Sequence, residues 1–135
     1  MIALDTSVLV AAFSSWHEFH DLAVTACRQA PVLPAHAYIE SFAVLTRMPE
    51  PFRADATLVA DYLNRLWADR LILPSSALVA SVPRTLCNAG LSGGATYDAL
   101  IAMTSQESGA TLLTLDRRAS RTYLALDVEH RFLTR

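Results

Sequence analysis

Four acidic residues stand at places where carboxylates could do chemistry: Asp5, Glu40, Asp98 and Asp116. Asp5 and Asp116 each follow a short apolar run of the kind that forms a buried strand. The carboxyl ends of parallel strands meet at one edge of a sheet, where ligands bind, so these two acids are predicted to share an edge. Asp98 falls in the first turn of a predicted helix, near that edge. The side on which Glu40 lies depends on the phase of its helix.

Four carboxylates in one cleft raise one another's pKa, because like charges a few ångströms apart repel. A divalent cation relieves that repulsion, and all-oxygen acidic ligands suit Mg²⁺ or Mn²⁺. Such an ion can activate a water and orient it in line with a phosphodiester. A second interpretation stays open from spacing alone. Asp5 and Asp98 could be helix-start acids that the helix dipole stabilises.

Short apolar strands alternating with helices must position these acids. Strands are predicted at 2–4, 31–34, 71–74, 111–115 and 128–132, and helices at 8–13, 17–29, 35–47, 54–68, 76–88, 96–108 and 117–124. Thr96 is predicted to cap its helix, and Pro83 is a possible break in another. The alternation predicts an α/β fold, a parallel sheet with helices on both faces.

The composition indicates one domain, residues 1–135, with a substantial core. At 53% hydrophobic and a mean hydropathy of +0.29, the chain still has no run near the roughly 20 apolar residues of a membrane span. Met1 leads straight into a predicted strand, so we expect no signal peptide, no membrane association and a cytoplasmic location. Cys27 and Cys87 show no metal-ligand spacing and are predicted to be free, buried thiols.

The charge pattern restricts the chemistry further. A net charge of −2 gives no broad basic footprint for nucleic acid. The chain contains no lysine, which disfavours phosphotransfer enzymes that use Asp5 as a nucleophile beside a lysine. Phosphatases of that class also require a second acid at the position that Ser7 occupies in this chain. Trp16 and Trp67 are predicted to be core or interface residues.

The segments around the four acids resemble the motifs of PIN domains, and within that superfamily the VapC-type toxins of bacterial toxin–antitoxin pairs. The first match is Ile2-Ala3-Leu4-Asp5-Thr6-Ser7-Val8-Leu9. The other matches are Tyr38-Ile39-Glu40, Tyr97-Asp98-Ala99-Leu100-Ile101-Ala102 and Leu113-Thr114-Leu115-Asp116. Their order and spacing agree along the whole chain.

The resemblance implies a three-layer α/β/α sandwich with a central parallel sheet of four to five short strands. It also implies a metal-dependent endoribonuclease that uses Mg²⁺, with Mn²⁺ as the alternative, is held in check by a cognate antitoxin and is commonly a homodimer. By residue-for-residue carry-over, the catalytic and metal-site acids are Asp5, Glu40, Asp98 and Asp116. Thr6 and Thr114 match the small polar residues that accompany the first and last acids.

The chain departs from the PIN pattern after the fourth acid. Many PIN domains carry a further acid there, whereas Asp116 is followed by Arg117, Arg118 and Ala119, which argues against a second metal site. Arg117, Arg118 and Arg121 either hold an RNA backbone or form a solvated helix face. The alternative function is a non-catalytic PIN-like module that binds RNA or protein.

Overall fold

The computed structural model describes residues 1–134, in which strands and helices alternate. The strands are β1 (Ile2–Leu4), β2 (Leu33–Pro34), β3 (Leu71–Ile72), β4 (Thr111–Thr114) and β5 (His130–Phe132). The helices are α1 (Thr6–Phe13), α2 (His20–Cys27), α3 (Ala35–Arg47), α4 (Ala56–Leu66), α5 (Ser76–Asn88), α6 (Ala95–Glu107) and α7 (Arg117–Ala125), with a 3₁₀ turn at Ala68–Arg70. None of the helices among residues 1–134 combines the length and the apolar character that crossing a membrane requires.

All strand pairings in the described chain are parallel. β1 pairs with β4 and β4 with β5, while β2 pairs with β3. A bridge between Ala3 and Val32 joins the two groups, since the Val32 N–H donates to the Ile2 carbonyl at 2.9 Å and the Leu4 N–H donates to the Val32 carbonyl at 3.2 Å. The strand order is therefore β3-β2-β1-β4-β5, which confirms the predicted parallel α/β sheet.

The apolar strands β1 and β4 bury the centre of the sheet in the hydrophobic core. Leu4 on β1 and Leu112 and Leu113 on β4 are fully buried, as expected of strands covered on both faces. Leu9 of α1 and Ile101 of α6 belong to the same core. The protein is a three-layer α/β/α sandwich, and Trp67 is a core residue, as predicted.

Several local predictions were wrong. Helix α6 begins at Ala95 and not at a Thr96 cap, because Thr96 already lies inside the helix and Gly94 is the cap residue. Helix α5 passes through Pro83 without a break. Pro83 is exposed, so water can satisfy the carbonyl that loses its partner. Both cysteines are free as predicted, but Cys87 is exposed and Cys27 is only half-buried.

Candidate active site

The four predicted acids line one cleft of about 480 Å³. Asp5 directly follows β1, and Asp116 lies two residues beyond β4. β1 and β4 are adjacent and parallel, so both acids lie at the carboxyl edge of the sheet. Asp98 lies in the first turn of α6. The phase of α3 brings Glu40 to the same cleft, which the sequence alone had left open.

Asp5 is the most firmly held of the four acids. It is 2% exposed, and one carboxylate oxygen accepts from the Ser7 hydroxyl at 2.5 Å and from the Val8 N–H at 3.3 Å. The other oxygen accepts from the Tyr123 hydroxyl at 2.9 Å. Burial raises the pKa of the Asp5 carboxyl, and the hydrogen bonds oppose part of that rise. Asp5 therefore caps α1 and also lines the cleft with a carboxylate held in one orientation.

Two residues outside the predicted set of four acids, Ser7 and Tyr123, hold Asp5 in place. Tyr123 of α7 is buried, and burial and the Asp5 charge raise the pKa of its phenol, so Tyr123 keeps its proton and donates. The Ser7 hydroxyl also accepts from the Leu115 N–H at 2.8 Å, which ties α1 to the end of β4. In the sequence, a tyrosine on the apolar side of a helix looks like any core residue, so nothing there indicated its contact with Asp5.

Asp98 is a second acid with a clearly raised pKa. It is half-buried, and its carboxylate accepts no hydrogen bond from the described residues. Burial first, and then the charges of Asp116, Glu40 and Asp5, raise the pKa of Asp98. Arg118 opposes the rise, and the net pKa is about 6. Clustered carboxylates with a perturbed pKa in a cleft are typical of a functional site.

Asp116 and Glu40 have partners of their own. Asp116 caps α7, since one of its oxygens accepts from the N–H groups of Arg118 at 2.9 Å and Ala119 at 3.2 Å. Glu40 lies 3.6 Å from the His36 imidazole. Helix capping therefore explains Asp5 and Asp116 in part, but Asp98 caps no helix, and capping does not explain why the four acids share a cleft.

The donor set fits a hard divalent cation, although the acids do not form a closed cage. Within residues 1–134, no three His, Cys, Asp or Glu side chains form a group that could hold a metal by themselves. Thr6 lines the cleft, and its buried hydroxyl has no hydrogen-bond partner among those residues. Mg²⁺ is commonly held by one or two carboxylates and several waters. That mode of binding suits this cleft.

A second groove, of about 490 Å³, adjoins the cleft and shares Asp98 and Asp116 with it. Arg118 and Arg121 line this groove. Arg117 does not, because its guanidinium packs 4.4 Å from the centroid of the Phe132 ring. The structure thus separates three arginines that the sequence could not tell apart. Two flank the acids, and one packs on an aromatic ring.

Comparison with known proteins agrees with this geometry. A family model described as "PIN domain" matches residues 2–124. The chain is 42% identical to "Ribonuclease VapC40" of Mycobacterium tuberculosis over 134 residues, which cover 99% of this chain and 100% of that protein. The crystal structure of Mycobacterium tuberculosis VapC20, described as a "Sarcin-Ricin loop cleaving toxin", superposes with a TM-score of 0.69 at 19% identity and covers 90% of this chain and 94% of that one. VapBC2 from Rickettsia felis, bound to a DNA fragment from their promoter, gives a TM-score of 0.68 at 16% identity over 99% of this chain and 100% of that chain.

Proposed function

We propose, from the premise that this chain belongs to the PIN-domain family, that it is an endoribonuclease acting as the toxin of a toxin–antitoxin pair. The protein hydrolyses RNA phosphodiesters. The observation that carries the proposal is the convergence of Asp5, Glu40, Asp98 and Asp116 on one cleft. An arginine-lined groove opens beside that cleft.

The reaction depends on a divalent cation, which we propose to be Mg²⁺, with Mn²⁺ as the alternative. When bound, such an ion would lower the pKa of the attacking water and would stabilise the negative charge that develops on the scissile phosphate. Asp98 is the acid most available to hold it, because no hydrogen bond from the described residues occupies its carboxylate. Asp5, Asp116 and Glu40, which line the same cleft, complete the proposed set of ligands.

The chain's own residues then have separate tasks. Ser7 and Tyr123 fix the orientation of Asp5. A carboxylate of the cleft takes up the proton of the attacking water. Arg118 and Arg121 hold the flanking phosphates through planar donors. Attack by water leaves a 5′-phosphate and a 3′-hydroxyl.

The partners proposed for the chain follow from the toxin assignment. They are an RNA substrate, a cognate antitoxin protein and a second copy of the chain in a homodimer. The structural neighbour VapBC2 from Rickettsia felis supports the antitoxin as a partner. We propose that the protein works in the cytoplasm.

Cleavage of a structured RNA pool by antitoxin-free protein tests this proposal. We expect cleavage with added Mg²⁺ or Mn²⁺, none with chelator, and none by Asp98→Asn. The matched control is Asp61→Asn, which removes the same charge from an exposed site on α4 and is expected to cleave normally. Equal cleavage by the Asp98 variant would refute the proposed site. RNA binding without cleavage under any condition would favour the non-catalytic module.

A further inference from the structure

Two aromatic rings from different helices stack next to two residues that line the acidic cleft, Glu40 and Asp98. The ring centroids of His36 on α3 and Tyr97 on α6 are 5.3 Å apart, and the ring planes differ by 6°. Each ring is tied to one of the site's acids. The His36 imidazole lies 3.6 Å from the Glu40 carboxylate, and Tyr97 immediately precedes Asp98. The stacked pair therefore links the two helices that bring Glu40 and Asp98 to the cleft.

Tyr97 is not a core residue. It remains 54% exposed although one face of its ring lies against the imidazole. A large aromatic ring held flat in this way loses little conformational freedom when a second planar group stacks on it. Base–aromatic stacking is the main sequence-tolerant contact that proteins make with single-stranded nucleic acid.

We propose that Tyr97, backed by His36, is a stacking platform for one nucleobase of single-stranded RNA beside the scissile phosphate. This inference rests on the proposed nuclease function and deepens it, because it assigns a substrate contact to residues outside the acidic set. The aromatic stack belongs to the helices of Glu40 and Asp98. The arginine groove instead shares Asp98 and Asp116.

Asp98 is thus common to both features, since it follows Tyr97 in α6 and lines the groove of Arg118 and Arg121. A base can reach the Tyr97 ring only if it is unstacked from its neighbours, as in loops and single strands. The platform therefore selects unpaired RNA over duplex RNA. Its selection among the four bases is weak, because every base presents a π face.

Binding of a fluorescein-labelled uridine decamer, measured by anisotropy in chelator, tests the platform without cleavage. Tyr97→Leu keeps apolar bulk and removes the π face, and it is expected to weaken binding by about 5- to 150-fold, from the roughly 1–3 kcal/mol typical of one stacked base. Tyr97→Phe keeps the ring and is expected to keep most of the affinity. Val79→Ala, at an exposed site on α5, is the control for an unrelated apolar surface change.

A scan of decamers that each lack one base completes the test. At one position, loss of the base is expected to weaken binding to the wild type and to leave binding to Tyr97→Leu unchanged, because both changes remove the same contact. Equal affinities of wild type and Tyr97→Leu, additive losses at every position, or a wild type that does not bind the decamer would each overturn the platform. Decamer binding that depends on Tyr97, together with no metal-dependent cleavage, would instead refute the nuclease function and leave the platform standing.

Discussion

Replacing Asp98 by Asn is expected to stabilise the metal-free protein while it abolishes cleavage. Four carboxylates line the cleft, and in the absence of a cation their mutual repulsion opposes folding. The pKa of Asp98 is raised from 3.8 to about 6, so the folded state disfavours the ionised carboxylate. Asparagine has nearly the same shape without the charge.

The size of the effect follows from the pKa. At about 1.4 kcal/mol per pH unit, a rise from 3.8 to about 6 corresponds to about 3 kcal/mol. Asp98 is only half-buried, and screening by water reduces this to about 1–1.5 kcal/mol. For a domain of this length, that raises the melting temperature by about 3–6 °C.

The sign of the pH dependence is fixed by the same reasoning. Below pH 3.8 the Asp98 carboxyl is protonated in both the folded and unfolded states and the penalty is absent. The penalty appears as the pH rises from 3.8 to about 6 and is then constant. The advantage of the variant in melting temperature should therefore grow across that window and level off above it.

Thermal unfolding in chelator between pH 4 and 8 measures this difference, with Asp61→Asn as the control that removes a charge outside the cleft. Added Mn²⁺ is expected to raise the melting temperature of the wild type and to have little effect on Asp98→Asn, because only the folded wild type binds the ion well. A less stable Asp98 variant at pH 7.5, or a stability difference that does not change with pH, would refute the electrostatic reasoning.

Two further substitutions test the supporting residues. Tyr123→Phe removes the hydroxyl that donates to the buried Asp5 carboxylate. We expect this change to lower the unfolding free energy by about 1–3 kcal/mol and to reduce cleavage. Unchanged stability in urea unfolding would show that the hydrogen bond contributes little. Arg118→Ala and Arg121→Ala should each weaken RNA binding and lower the slope of log affinity against log salt by about 0.7. Arg117→Ala should change neither, because the Arg117 side chain packs on Phe132. Equal effects of all three substitutions in a salt titration would argue against a specific phosphate-binding groove.

The sequence predicted the parts of this site that depend on topology. Asp5 and Asp116 follow apolar strands, and parallel pairing of β1 with β4 places both at one edge of the sheet. The sequence did not predict the parts that depend on packing between distant segments. The bond from Tyr123 to Asp5 spans 118 residues, and the stack of His36 on Tyr97 needs two helices at a particular phase.

Local sequence signals predicted helix ends and the burial of single residues less well than they predicted the core strands. Thr96 offers a good cap, yet α6 starts one residue earlier, at Ala95, because the position of a helix end is set by packing and by the Gly94 turn as well as by side-chain preference. Cys87 was predicted to be buried, but it lies on the exposed side of α5. The family resemblance predicted the four acids, and the structure shows which residues hold and surround them.

A crystal of the protein soaked in MnCl₂ and measured at a wavelength where manganese scatters anomalously would test the central claim most directly. We expect an anomalous peak in the cleft, in contact with the Asp98 carboxylate and near Asp5 and Asp116, and no such peak in Asp98→Asn. A peak elsewhere, or a cleft without manganese in protein that cleaves RNA only when Mn²⁺ is added, would contradict the proposed metal site.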